Sequence, residues 1–168
     1  QSSPVTIGPH PDHPGRYRIE SRLWLPRPIG EVFEFFSDAA NLETLTPPWL
    51  KFEIVTPRPF EMHTGRLIDY RLRVHGIPLK WQSEILDWQP PHQFVDEMRR
   101  GPYSHWHHRH LFESRAGGTD VVDVVDYAVP GGRLINWLVV QRDLQKIFGF
   151  RRQKLLELFG GPQGVTNS

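Results

Sequence analysis

No cysteine occurs anywhere in the 168 residues, which removes disulfides, thiolate nucleophiles, zinc knuckles and iron–sulfur clusters. No apolar run approaches the roughly 18 residues that a spanning helix needs, and mean hydropathy is −0.47. No stretch joins a basic start to the apolar core of a secretory leader, so a cytoplasmic location is expected. Neither sign of charge dominates: 20 Lys and Arg stand against 19 Asp and Glu, a net charge of +1. That balance leaves no electrostatic reason to expect a nucleic-acid partner. Internal repeats and low-complexity blocks are also missing. Any chemistry must therefore come from His, Asp, Glu, Tyr and Ser. What the chain does have is aromatic mass, with six Trp and ten Phe, enough to build the core of one ordinary domain.

Residues 1–16 carry Pro4, Pro9, Pro11 and Pro14 without apolar periodicity, and read as an extended N-terminal arm. From Tyr17 to Leu25 the pattern alternates, as in a half-buried strand. Pro28 suits a first helical turn, and Ile29, Val32, Phe33 and Phe36 follow a helical stripe. A second short helix fits Asn41–Leu45, stopped before Pro47-Pro48. Alternating segments then dominate: Leu50 to Ile54, Ile68 to Val74, Leu79 to Ile85, and about 93–99, 105–114 and 119–129. Gly76, Gly101-Pro102 and Gly117-Gly118 mark the turns between them. From Arg133 to Phe159 there is no proline and apolar residues recur at helical spacing, predicting a helix of about 40 Å. Gly160-Gly161-Pro162 ends it, leaving 161–168 as a flexible tail. Residues 17–160 form one domain of the α+β class, in the order β-α-α-β-β-β-β-β-β-α. Its curved antiparallel sheet of about seven strands must wrap the long C-terminal helix, the only element large enough to cover one face.

Several local signatures occur in a definite order. They are Val32-Phe33-Glu34-Phe35-Phe36-Ser37-Asp38 with Asn41-Leu42, then Leu45-Thr46-Pro47-Pro48-Trp49-Leu50, Trp81-x-Ser83-x-Ile85 and Phe94-x-Asp96. Gly101-Pro102-Tyr103, Trp106-x-His108-x-His110-x-Phe112, Asp123-x-x-x-Tyr127-x-x-Pro130 and Phe150-Arg151 complete the pattern. Together these resemble the START-like helix-grip superfamily, also called SRPBCC or birch-pollen-allergen-like, and within it the polyketide cyclase/dehydrase-like ligand-binding proteins. The resemblance spans roughly Arg16 to Gly160. It implies a helix-grip fold with a cavity for a small apolar molecule. It does not imply one reaction, because the superfamily holds carriers, sensors, cyclases and hydrolases.

Strand alternation places Phe94, Asp96 and Met98 on one face, as it does Trp106, His108, His110 and Phe112, and Val121, Asp123, Val125 and Tyr127. Apolar neighbours make these the inward faces. A turn centred on residue 102 sets Asp96 opposite His108, and one centred between 116 and 117 sets His110 opposite Asp123. Directly opposed side chains lie within hydrogen-bonding reach, so two Asp–His pairs are expected side by side. Beside a carboxylate an imidazole favours its protonated form, and the Asp fixes the tautomer.

Three readings follow. The leading one is a binding domain for a small hydrophobic, oxygen-bearing molecule, such as a polyketide, quinone or lipid. Ile68, Tyr70, Leu72, Trp81, Ser83, Phe94, Met98, Trp106, Phe112, Val125 and Tyr127 would contact that ligand, with Asp96, His108, His110 and Asp123 at its polar end. In the second, those four residues are the general acids and bases of a cyclase/dehydrase-type lyase or isomerase. The third is a regulatory interaction protein with a vestigial cavity. His-x-His on a strand is also a metal-ligand spacing, with Asp123 or Asp96 as third ligand. Without a third His or a His-Glu-x-x-His element, no metal and no cofactor is assigned. Arg133, Arg142, Lys146, Arg151, Arg152 and Lys154 make the terminal helix basic, which reads as a solvated outer face. Membrane contact would need an exposed apolar stripe, and none is evident in the pattern.

Overall fold

The computed structural model describes residues 5–160; residues 1–4 of the expected arm and the expected tail at 161–168 lie outside them. The strands are β1 (Thr6–Pro9), β2 (Tyr17–Leu25), β3 (Glu53–Ile54), β4 (Leu67–Val74), β5 (Ile77–Gln89), β6 (Gln93–Arg100), β7 (His105–Arg115) and β8 (Gly118–Ala128). Short helices α1 (Ile29–Ser37) and α2 (Ala40–Leu45) follow β2. The chain closes with α3 (Gly132–Ile135), a π-helical turn (Asn136–Val140) and α4 (Gln141–Phe159), consecutive segments of one long helix. All eight strands form one antiparallel sheet in the order β1-β2-β8-β7-β6-β5-β4-β3.

The eighth strand comes from the expected arm. Thr6–Pro9 pairs with Glu20–Tyr17 of β2, at an edge, where a proline breaks no ladder on its outer side. The stretch Leu50–Ile54 is less regular than its alternation suggests. Leu50 ends a 3-10 turn begun at Pro48, and Lys51 is left-handed at φ 48°, so only Glu53 and Ile54 reach the sheet.

The tight hairpins set the register of the inner strands. Ala116 and Gly117 both have positive φ (51° and 77°), the geometry whose twist suits a two-residue hairpin. Register shifts in β5 at Gln82/Ser83 and Ile85/Asp87 add curvature. The curved sheet and α4 enclose two apolar clusters. One gathers Phe33, Phe36, Phe94, Phe112, Leu155 and Phe159; the other gathers Ile19, Trp106, Val125, Tyr127, Leu144 and Phe148.

Candidate functional site

A polar belt runs between those two clusters. Along the inner face of β7, Trp106 belongs to one cluster and Phe112 to the other, with His108 and His110 between them. On β8 Asp123 lies between Val125 and Val121, and on α4 Arg151 lies between Phe148 and Leu155. Asp96 of β6 completes the belt. The backbone register is the expected one, with Asp96 opposite His108 and His110 opposite Asp123.

The hydrogen bonds, however, cross. His108 Nε2 lies 2.8 Å from Asp123 Oδ1, and His110 Nε2 lies 2.6 Å from Asp96 Oδ2. Each imidazole thus serves the diagonal carboxylate, because strand side chains lean along the strand and a long one reaches its diagonal neighbour. The two rings stack with centroids 3.6 Å apart, and Phe94 stacks on His110 at 4.0 Å. Carboxylates only accept, so Nε2 carries a proton in each ring. Protonated imidazoles were the sequence expectation, and His110 departs from it. Burial, reinforced by the neighbouring His108, pushes it down to about 4, against the pull of Asp96.

Arg151 is the residue that the pattern of charges misplaced. It is only 8% exposed, and its guanidinium forks onto Asp123, Nε to Oδ2 and Nη2 to Oδ1, both at 3.1 Å. Burial alone would raise the Asp123 carboxyl, but the charge of Arg151 and the bond from His108 outweigh it and hold Asp123 well below its ordinary range. Asp96 is likewise lowered despite burial, by the bond from His110 and the charges around it. The helical position of Arg151, three residues after Phe148 and four before Leu155, was the available signal, since all three share one face.

A cavity of about 470 Å³ opens beside the belt, within the range of small-molecule sites. Tyr70, Leu72, Trp81, Ser83 and Trp106 line it, together with Asp96, His108, His110 and Arg151. The lining also includes residues not anticipated: Leu42 and Leu45 of α2, Thr46 and Leu50 just after it, and Ile135, Val139, Val140, Leu144 and Phe148 on the terminal helix. Several expected contacts are elsewhere. Ile68, Phe94 and Phe112 are packed in the first cluster, Phe94 and Phe112 against Phe33 of α1. Val125 and Tyr127 are fully buried against the helix, where the Tyr127 hydroxyl donates to Asn136 Oδ1 at 2.7 Å. Met98 packs against the second cluster, and Asp123 stands behind the imidazoles; neither lines the cavity. An inward-facing position is thus not the same as a cavity position, because α1 and α4 cover much of the sheet.

Asp96, His108 and His110 bring one ligand atom each within 4.8 Å of one another. The stacking opposes a shared ion. Ring lone pairs lie in the ring planes, and two stacked rings with centroids 3.6 Å apart, inclined by only 23°, do not aim them at one nearby point. The open polar atoms are instead His108 Nδ1, 4.0 Å from Asp96 Oδ2, and the carboxylate itself. Ser83 Oγ accepts from Trp81 Nε1 at 2.9 Å and lies beside the Tyr70 hydroxyl. Burial raises the Tyr70 hydroxyl far above its ordinary range, so it stays a donor.

The family described as polyketide cyclase/dehydrase and lipid transport matches residues 25–149. The chain belongs to this family. Comparison with curated proteins finds no significant match. Solved structures share this fold at low identity. Protein Ms6760 from Mycobacterium smegmatis is 17% identical, with a TM-score of 0.66 over 92% of this chain and 97% of that one. TTHA0849 from Thermus thermophilus is also 17% identical, with a TM-score of 0.60 over 84% and 98%. A nucleoside-diphosphate sugar epimerase from Corynebacterium glutamicum is 19% identical, with a TM-score of 0.59 over 82% of this chain but 28% of its own. At these identities the likeness concerns the fold.

Proposed function

We propose that this family member binds a small hydrophobic, oxygen-bearing molecule of the polyketide, quinone or neutral-lipid kind, apolar body among the aromatic walls and oxygen end at the belt. The observation that carries this reading is a largely apolar cavity with the polar groups of Asp96, His108 and His110 gathered in its lining. The one buried cation of the belt, Arg151, is already held by Asp123. A fatty carboxylate would therefore meet the Asp96 carboxylate without a free counter-charge, whereas a hydroxyl donates to it. Native mass spectrometry of freshly purified protein tests the idea. A discrete extra mass, lost on denaturation, is expected. A clean apo mass combined with no uptake of an apolar fluorescent dye would sink it.

A second reading is favoured by one specific contact. His108 donates from Nε2 to Asp123, so its Nδ1 is the atom left to accept a proton, 4.0 Å from Asp96 Oδ2 of the cavity lining. Asp123, clamped by Arg151, would orient that ring and stabilise its protonated form, as a general base requires. On this reading the protein moves protons during ring closure or loss of water. His108→Ala would then abolish turnover of the captured compound while retaining most of its affinity; a pure carrier would show only an affinity change.

A further inference from the structure

We propose that the first turns of the terminal helix, Leu134–Val139, together with the β4–β5 hairpin tip at Ile77, dock onto an anionic phospholipid surface and open the cavity mouth toward it. The exposed apolar stripe that the sequence pattern concealed lies here. Leu134, Trp137 and Leu138 are 62%, 73% and 50% exposed, and Ile77 is 63% exposed. Within this stretch the only polar residue, Asn136, is buried and turned inward onto the Tyr127 hydroxyl. The outward face is therefore wholly apolar, and Trp is the side chain best suited to a membrane–water boundary.

Two further observations point to a lipid surface. Ile135 and Val139 line the cavity and are also 41% exposed each, so the patch and the mouth are the same place. Leu72, Val74 and Leu79 of the hairpin line that cavity too, and His75 Nε2 meets Asp143 Oδ2 at 2.8 Å to tie hairpin to helix. Residues 71–80 and 133–146, which frame the mouth, carry Arg71, Arg73, Lys80, Arg133, Arg142 and Lys146, all exposed, against the single acid Asp143, which His75 faces. A cationic rim round an apolar patch fits negatively charged headgroups. No helix among the described residues is long and apolar enough to cross a bilayer, so the contact is in the plane of the interface. The docking rests on the cavity-ligand reading only for its purpose, not for its occurrence.

The test is flotation of the full chain with vesicles of phosphatidylcholine alone and of phosphatidylcholine mixed with phosphatidylserine. Binding to the mixed vesicles, weakened by salt, is expected. Trp137→Ser with Leu138→Ser should lower it by about tenfold or more, and Arg142→Glu with Lys146→Glu by about tenfold or more at low salt. All four positions are exposed, so unchanged circular dichroism and melting temperature confirm that the variants fold. Equal binding to both vesicle types, no binding, or variants that bind like the wild type would overturn the proposal. So would a wild-type dimer that Trp137→Ser with Leu138→Ser splits into monomers, since the patch would then be covered by a second copy. A cavity adduct in native mass spectra without vesicle binding removes only the docking; vesicle binding without any cavity ligand removes only the ligand reading.

Discussion

At the scale of single residues, the belt is a buried charge problem with one solution. Asp96 and Asp123 are ionised, Arg151 is cationic, and His110 stays neutral, so the carboxylates depend on Arg151 and on the two Nε2–H donors. Truncating Arg151 leaves Asp123 without its fork. Arg151→Leu should cost about 3–5 kcal/mol in urea denaturation, while Arg151→Lys, which keeps charge but loses the planar fork, should cost less. An effect below about 1 kcal/mol would mean that Asp123 is not held as described. Acid should act in two windows. Unfolded His takes a proton from its ordinary 6.5 downward, whereas folded His110 resists until about 4, so the unfolded state binds more protons and stability falls across that interval. Asp123 has a folded value below its ordinary 3.8, so its stabilisation is present above 3.8 and is lost as pH falls below it. His110→Gln should flatten the upper window and Asp123→Asn the lower, read from denaturation midpoints against pH. The residue types and faces of this belt were legible in the sequence. Their crossed pairing was not, since alternation specifies which face a side chain takes and not which way it leans. Arg151 was missed for a related reason: an arginine among six basic helical residues reads as solvated until its neighbours Phe148 and Leu155 are known to be inward.

At the scale of elements, turn chemistry explains why so much of the sheet was legible. The centres at residue 102 and between 116 and 117 set the partners of Asp96 and His110, and the observed ladders follow them. Ala116 holds a left-handed conformation at φ 51° that disfavours any side chain. Ala116→Gly should therefore stabilise the hairpin by about 0.5–1 kcal/mol, part of the relief being offset by the freer unfolded glycine. Unchanged or lowered stability would show that the turn tolerates alanine without strain. The terminal helix was legible as a whole and opaque in its first turns. Periodicity treats Leu134 and Leu138 as core, yet both are exposed, because Asn136 takes the inward position and the chain winds as a π turn around it. The short strand at Glu53–Ile54 was overread for the opposite reason, since alternation does not reveal a left-handed Lys51. Tyr127→Phe removes the one hydroxyl that anchors this turn. It should cost about 1 kcal/mol and speed amide exchange at Asn136–Val140 more than in α4. Exchange that rises equally along the helix would place the anchor elsewhere.

At the scale of the whole molecule, the sheet and terminal helix do not close completely on each other. Two apolar clusters pack well on either side of the polar belt, and a cavity of about 470 Å³ is left beside it. Apolar volume left unpacked in a core costs stability, and on the proposed reading a bound ligand offsets that cost. A ligand that binds only the folded state adds RT ln(1 + [L]/Kd), about 2.7 kcal/mol at a hundredfold excess over Kd. The cavity-filling substitution Leu79→Trp separates this contribution from intrinsic packing, because Leu79 is half-buried on the cavity wall and a larger side chain there extends into free space. The variant should keep a melting temperature close to that of the ligand-free wild type, lose the adduct in native mass spectra, and no longer gain stability when the captured compound is added. A variant that still binds the compound with the same stabilisation would place the ligand outside the cavity. One that fails to fold would instead show that the space is already filled by motion of the wall, and the smaller change Leu79→Phe would then decide between the two.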